Sequence, residues 1–153
     1  MTVKELAHLT EDERELVLQA PALISVLIGG ADSNFDEKEM EHAVKAVTYR
    51  SLQGEPLLYN YYKKVELSFE SVMLHFTQKY EGDANDRAKA INAELAKLND
   101  ILPKLDDRYA HVLVENWRSF AKGIAKASGG FLGYHQISMD ESHVVELEMI
   151  TYS

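Results

Sequence analysis

The sequence predicts an all-α protein, a compact bundle of about six helices forming one domain over residues 1–153, and three observations carry that prediction. Apolar residues recur at intervals of three and four through most of the chain, as amphipathic helices require. Capping residues, prolines and glycines punctuate these segments where helices start and stop. No run of useful length alternates apolar and polar residues as a half-buried strand does, and no Pro/Ser-rich linker or shift in composition divides the chain.

Taken in order, Thr10 and Glu13 form a capping box, and Leu16, Ala20, Leu23 and Leu27 follow at helical spacing, widened by Val17, Ile24 and Ile28. Pro21 lacks an amide donor, so this first helix is expected to kink or split near Gln19 to Ala22. Asp36 opens a second helix with Glu39 three residues on; its inner face is Met40, Ala43, Val44 and Val47, and it closes before Gly54. Pro56 suits the first position of a third helix, whose stripe runs Leu58, Tyr62, Val65, Phe69, Val72, Met73, Phe76 and Tyr80. Gly82 and Asp83 stop one helix and restart the next, which carries Ala88, Ile91, Leu95, Leu98 and Leu102 until Pro103 ends it. Asp106 caps a fifth helix bearing Tyr109, Val112, Leu113, Trp117, Phe120, Ile124 and Ala127. Ser128 to Ile137 holds three glycines and reads as a loop. Ser138 with Glu141 is a further capping box, opening a short terminal helix with Val144, Val145, Leu147 and Ile150.

At 153 residues the chain can bury a core without staples. A net charge of −9 argues against nucleic acid or an anionic membrane as partner and favours cations or another, basic, protein. The absence of cysteine excludes disulfides, thiolate metal sites and cysteine nucleophiles. The N-terminus lacks the basic start and apolar middle of a secretion signal, so the expected location is cytoplasmic. The longest uncharged stretch, Leu16 to Ala31, is 16 residues long and contains Gln19 and Pro21, against the ~18 or more of a membrane-spanning helix. It reads as a buried core helix, and the chain as not an integral membrane protein.

Chemistry concentrates between the first two helices. Asp32, Asp36, Glu37, Glu39 and Glu41 place five acidic side chains within ten residues. Asp36, Glu37 and Glu39 suit a helix N-terminus, where the macrodipole favours negative charge, but Asp32 follows the negative end of the preceding helix. Asp32, Asn34 and Asp36 match the first three ligand positions of an EF-hand loop, after which the match fails, with Glu37 in place of the glycine and Ala43 in place of the bidentate glutamate. Two readings stay open: a turn followed by an ordinary N-cap, or a weak divalent-cation site at Asp32, Asp36 and Glu39.

The phrase from Ala31 through Asp32, Ser33, Asn34, Phe35, Asp36, Glu37 and Lys38 to Glu39, following a small-residue-rich apolar helix, resembles the signature of the tellurite-resistance TerB-like helical domains. Ala125 to Ser128 followed by Ile137 to Glu141 is similar to an echo of that pattern, so the resemblance covers about half of the chain. It implies two pseudo-symmetric helical hairpins and a non-enzymatic role in metal-stress response, exercised through partners and divalent cations. Asp32, Asp36 and Glu39 are the positions it carries over for a metal, with Asp140 and Glu141 as helpers. The chain departs from the pattern at Ser33, where the family has glycine, and at Ser128 and Ser138, where a second acidic cluster would need carboxylates.

Two other readings come from the residues. A helical interaction module would use exposed aromatic surfaces: the Phe131, Leu132 and Tyr134 stretch, or part of the Tyr59, Tyr61 and Tyr62 cluster, only some of which can face inward. A di-iron or other metal-dependent oxidoreductase would use the Glu5–His8 and Glu39–His42 pairs, whose i, i+3 spacing is right but whose order along the chain is not that of a ferritin-like bundle. His75, His111, His135 and His143 are scattered, without a zincin string or a nucleophile elbow, and Gly129 to Gly133 lacks the preceding strand and the Lys-Ser/Thr ending of a phosphate-binding loop.

Overall fold

Why the apolar stripes face where they do is clear from a computed structural model, which describes residues 3–29, 37–128 and 146–152. A 3-10 turn at Lys4–Leu6 precedes α1 (Glu11–Gly29), α2 (Glu37–Leu52), α3 (Tyr59–Lys79), α4 (Ala84–Ala96), the single-turn α5 (Leu98–Ile101) and α6 (Asp107–Ser128). The fold is all-α, with no strand among the described residues.

Helix α1 is the axis. Its first turn carries Glu11, Asp12 and Glu13, but every residue from Ala20 to Gly29 is buried, so the helix needs apolar neighbours on all sides. It packs against α3 and α6 and touches α4 and α5, while α2 packs on the far side against α3 and α6. The capping box at its start is formed as expected: Thr10 N–H donates to Glu13 Oε1 (3.0 Å) and Glu13 N–H to Thr10 Oγ1 (3.2 Å). Arg14 holds the preceding turn by donating to the carbonyls of Leu6, Ala7 and Leu9, and Lys104 pairs with Glu13 from the turn after α5. Asp83 and Asp106 likewise cap α4 and α6, accepting from Asp86 N–H and Tyr109 N–H.

Pro21 neither splits nor ends α1, which runs through it. The missing amide should leave the Val17 carbonyl, four residues earlier, without its helical donor. Instead the Tyr61 hydroxyl of α3 donates to Val17 O at 2.6 Å, and Trp117 Nε1 of α6 donates to Tyr61 Oη at 3.1 Å. All three groups are buried, so the proline defect is closed by a side-chain relay tying α1, α3 and α6 together. Ser25, also buried, donates to Pro21 O at 2.8 Å.

Three other boundaries differ from the sequence reading. Pro56 opens a 3-10 turn, Pro56–Leu58, with Glu55 capping Leu57 N–H, and the α-helix proper begins at Tyr59. The fourth helix breaks at Lys97, whose N–H is shared between the Glu94 and Leu95 carbonyls, and Pro103 lies inside a 3-10 turn, Leu102–Lys104. The terminal helix does not extend through Leu147: residues 146–149 form a turn, and Leu147 has φ 54°. That left-handed residue is fully buried, and the segment is clamped by Arg118, donating to Glu146 O and Ile150 O, and by Asn99, which donates to Met149 O and accepts from Thr151 N–H. Ser138, Glu141, Val144 and Val145, together with the glycine-rich loop, lie outside the described residues.

Gly82, with φ 114°, makes the turn between α3 and α4. Gly54 ends the hairpin side of α2 so tightly that a Cβ there would come within 3.0 Å of Arg50 Cα.

Candidate functional site

The acidic corner is the first candidate. Helix α1 ends at Gly29 and α2 begins at Glu37, leaving residues 30–36 to connect them. Both flanking helices pack on α3, so the ends of this connection are tethered within one bundle. Glu37 is exposed and Glu39 half-buried in the first turn of α2, where the helix N-terminus favours carboxylates. Asp32 and Asp36 lie outside the described residues, as do Asp140 and Glu141. Glu41 is exposed and pairs with Lys45 at 3.2 Å.

The two Glu-x-x-His pairs are not brought together. His8 is exposed, with Nε2 2.6 Å from Lys104 O, and His42 is exposed on α2. Among the described residues no three His, Asp or Glu side chains are placed to share a metal ion. His75 and His111 are also exposed; His111 stacks edge-on against Tyr152.

The tyrosine cluster faces inward more fully than the sequence suggested. Tyr61 and Tyr62 are both buried, and Tyr59 half-buried. Adjacent helical residues diverge by about 100°, and α3 is flanked closely enough to bury both directions. Tyr61 points to α1 and α6, while Tyr62 donates to Asn116 Oδ1, which also accepts from Arg50 Nε. Arg50 lies over Phe120, 5.2 Å from the ring centre, and donates to Ala46 O and Ser119 Oγ. Burial pushes the Tyr61, Tyr62 and Tyr109 hydroxyls well above the usual phenol range.

A surface not singled out in the sequence lies between α2 and α3. Leu67 is 72% and Leu74 55% exposed; Tyr49 and Leu52 are exposed on α2. A groove of about 450 Å³ between these helices is lined by Val44, Val47 and Thr48 of α2 and by Leu67, Phe69 and Glu70 of α3, while Leu74, Tyr49 and Leu52 lie outside it. Glu66 and Glu70 stand exposed on its α3 side; Glu66 accepts from Thr48 Oγ1 at 2.7 Å and from Ser51 Oγ at 3.5 Å. The available signal was the i, i+7 pair Leu67 and Leu74, which falls opposite the Leu58 to Tyr80 stripe.

No helix among the described residues is long and apolar enough to cross a membrane. No protein-family model, no curated protein and no solved structure matches the chain at a significant level.

Proposed function

We propose that this chain is a non-enzymatic helical domain of TerB-like type, acting in the response to metal or other stress, with a weak divalent-cation site at Asp32, Asp36 and Glu39. One observation carries the reading. Asp32 and Asp36 belong to a connection of only seven residues, Glu39 follows in the first turn of α2, and the helices on either side both pack on α3, which supports reading the three as one acidic corner. Oxygen donors so closely spaced along the chain suit a hard divalent cation, which would offset their mutual repulsion and the negative end of α1.

Thermal melting in chelator and then in calcium, magnesium, manganese, zinc or ferrous iron tests it. At ~100-fold excess over its dissociation constant, a bound ion stabilises by about 2.7 kcal/mol. The Asp32→Asn, Asp36→Asn pair should abolish that shift while melting normally in chelator. Equal melting with every ion would defeat the cation site. A shift confined to iron and lost with Glu39→Ala alone would instead favour the oxidoreductase.

A second reading, a protein-interaction module without a metal, is favoured by Leu67, Leu74, Tyr49 and Leu52, large apolar side chains left in solvent on one hairpin. The two readings use different surfaces, and a cation-responsive domain acting through a partner would combine them.

A further inference from the structure

We infer that the α2–α3 groove docks a basic amphipathic helix of a partner protein. This rests on the interaction-module reading and names its surface and its class of partner. Leu67 lines the groove, and Leu74, seven residues on along the same face of α3, extends its apolar edge by ~10 Å beyond it. Glu66 and Glu70 flank the ridge, and neither pairs with a Lys, Arg or His among the described residues. The Thr48 and Ser51 hydroxyls orient the Glu66 carboxylate without neutralising it, Lys45 of α2 pairs with Glu41, and Lys63, exposed three residues before Glu66 on α3, forms no ion pair with either glutamate among the described residues.

An apolar ridge flanked by uncompensated carboxylates is complementary to a helix with apolar anchors at i, i+3 or i+4, and i+7 and with Lys or Arg beside them. Other occupants fit less well. A second copy docking through the same face would bring Glu66 and Glu70 against an equally acidic surface, in a chain of net charge −9. Residues 129–145 of the chain itself contain no Lys or Arg and include Asp140 and Glu141, so they cannot supply the countercharge.

The test is fluorescence anisotropy with a labelled leucine–lysine peptide of ~14 residues, two heptads with helical periodicity. A scrambled peptide of the same composition and a leucine–glutamate counterpart serve as controls. The periodic basic peptide should bind, and binding should weaken as salt rises. The pairs Leu67→Ser, Leu74→Ser and Glu66→Gln, Glu70→Gln should each weaken it by ~10-fold or more, about 1.4 kcal/mol. Both pairs should melt as the wild type does. The pair Glu11→Gln, Glu15→Gln, exposed on α1, should leave binding within about twofold, since it removes the same charge elsewhere. Equal weakening by the α1 pair, or equal binding of the scrambled peptide, would show charge alone at work and overturn the groove. Binding lost with Tyr49→Ser, Leu52→Ser but not with the groove pairs would overturn the groove while sparing the interaction module. No binding of any peptide, with the chain monomeric in sedimentation, would count against both; concentration-dependent dimerisation abolished by the leucine pair would replace the partner with a second copy.

Discussion

Helix α3 presents two faces built by opposite rules. Inward, Tyr61, Tyr62, Val65, Phe69, Met73 and Phe76 are buried, and the hydroxyls of Tyr61 and Tyr62 each find a buried or half-buried partner on another helix. Outward, Leu67 and Leu74 remain in water beside glutamates that form no ion pair among the described residues. Burying a polar group without a partner costs ~1–3 kcal/mol, so the inner face must satisfy each one. An exposed leucine costs little and contributes little, so the folded state alone does not require it there. Stability therefore explains the first face and leaves the second without a reason in folding, which is the gap that the proposed docking of a partner helix would fill.

The largest effect should come from Tyr61→Phe. It removes one oxygen and orphans two buried groups, the Val17 carbonyl and the Trp117 indole N–H. At ~1–3 kcal/mol for each, the loss in urea unfolding should be about 2–6 kcal/mol. Pro21→Ala sharpens the test because it restores an amide able to donate to Val17 O. In that background Tyr61→Phe should cost less by ~1–2 kcal/mol, leaving mainly the indole orphaned. Strict additivity would show that the tyrosine does not repair the proline.

The bundle interior, where Tyr109 of α6 is buried as well as Tyr61 and Tyr62 of α3, should resist alkali. Tyr61, Tyr62 and Tyr109 have folded-state values raised above the unfolded phenol value of about 10, so their contribution is complete below that pH and is lost as pH rises toward the folded values. Phenolate absorbance should show three of the eight tyrosines silent until the chain unfolds, with stability falling above pH ~10. Early titration of all eight would break the picture of a sealed interior.

Much of this was legible in the sequence, and the misses have physical causes. The Thr10–Glu13, Asp83 and Asp106 caps were readable because they depend on residues three apart. The continuity of α1 through Pro21 was not, since the donor that repairs it comes from Tyr61, forty residues away in proline's numbering. The turn at Leu147 was likewise hidden: helical spacing of Val144, Leu147 and Ile150 suggested a helix, whereas Arg118 and Asn99, remote in sequence, hold the backbone in another form. The outward pair Leu67 and Leu74 was visible but lay outside the core stripe. Of the acidic corner, the sequence supplies the carboxylates and the fold supplies the tether, while Asp32 and Asp36 fall outside the described residues.

Between the two faces of α3 lies an intermediate case, the exposed start of α1. Thr10→Ala removes the oxygen that caps Glu13 N–H and should cost about 1 kcal/mol in the same unfolding assay. Lys104, and then Thr10, hold the Glu13 carboxyl below its ordinary value of 4.5, so that contribution is present above this pH and fades as pH falls through the folded value. Acid should therefore weaken the wild type and the Thr10→Ala variant nearly alike, since the Lys104 and Thr10 N–H contacts of that carboxyl survive the substitution and the lost bond from Glu13 N–H does not titrate.

The smallest effect should be that of Leu67→Ser with Leu74→Ser. Both side chains are mostly in water already, so the change removes little buried apolar area, and surface substitutions of this kind stay within about 0.5 kcal/mol. Serine has a somewhat lower helix propensity than leucine, which alone sets the expected sign as a slight loss. Unfolding midpoints should barely move, whereas retention on a hydrophobic-interaction column should drop because the apolar ridge is gone. A loss above about 2 kcal/mol would mean that these leucines are packed in the folded chain as a core residue is. The contrast between the two faces of α3 would then disappear, and with it the reason to look for a partner on this one.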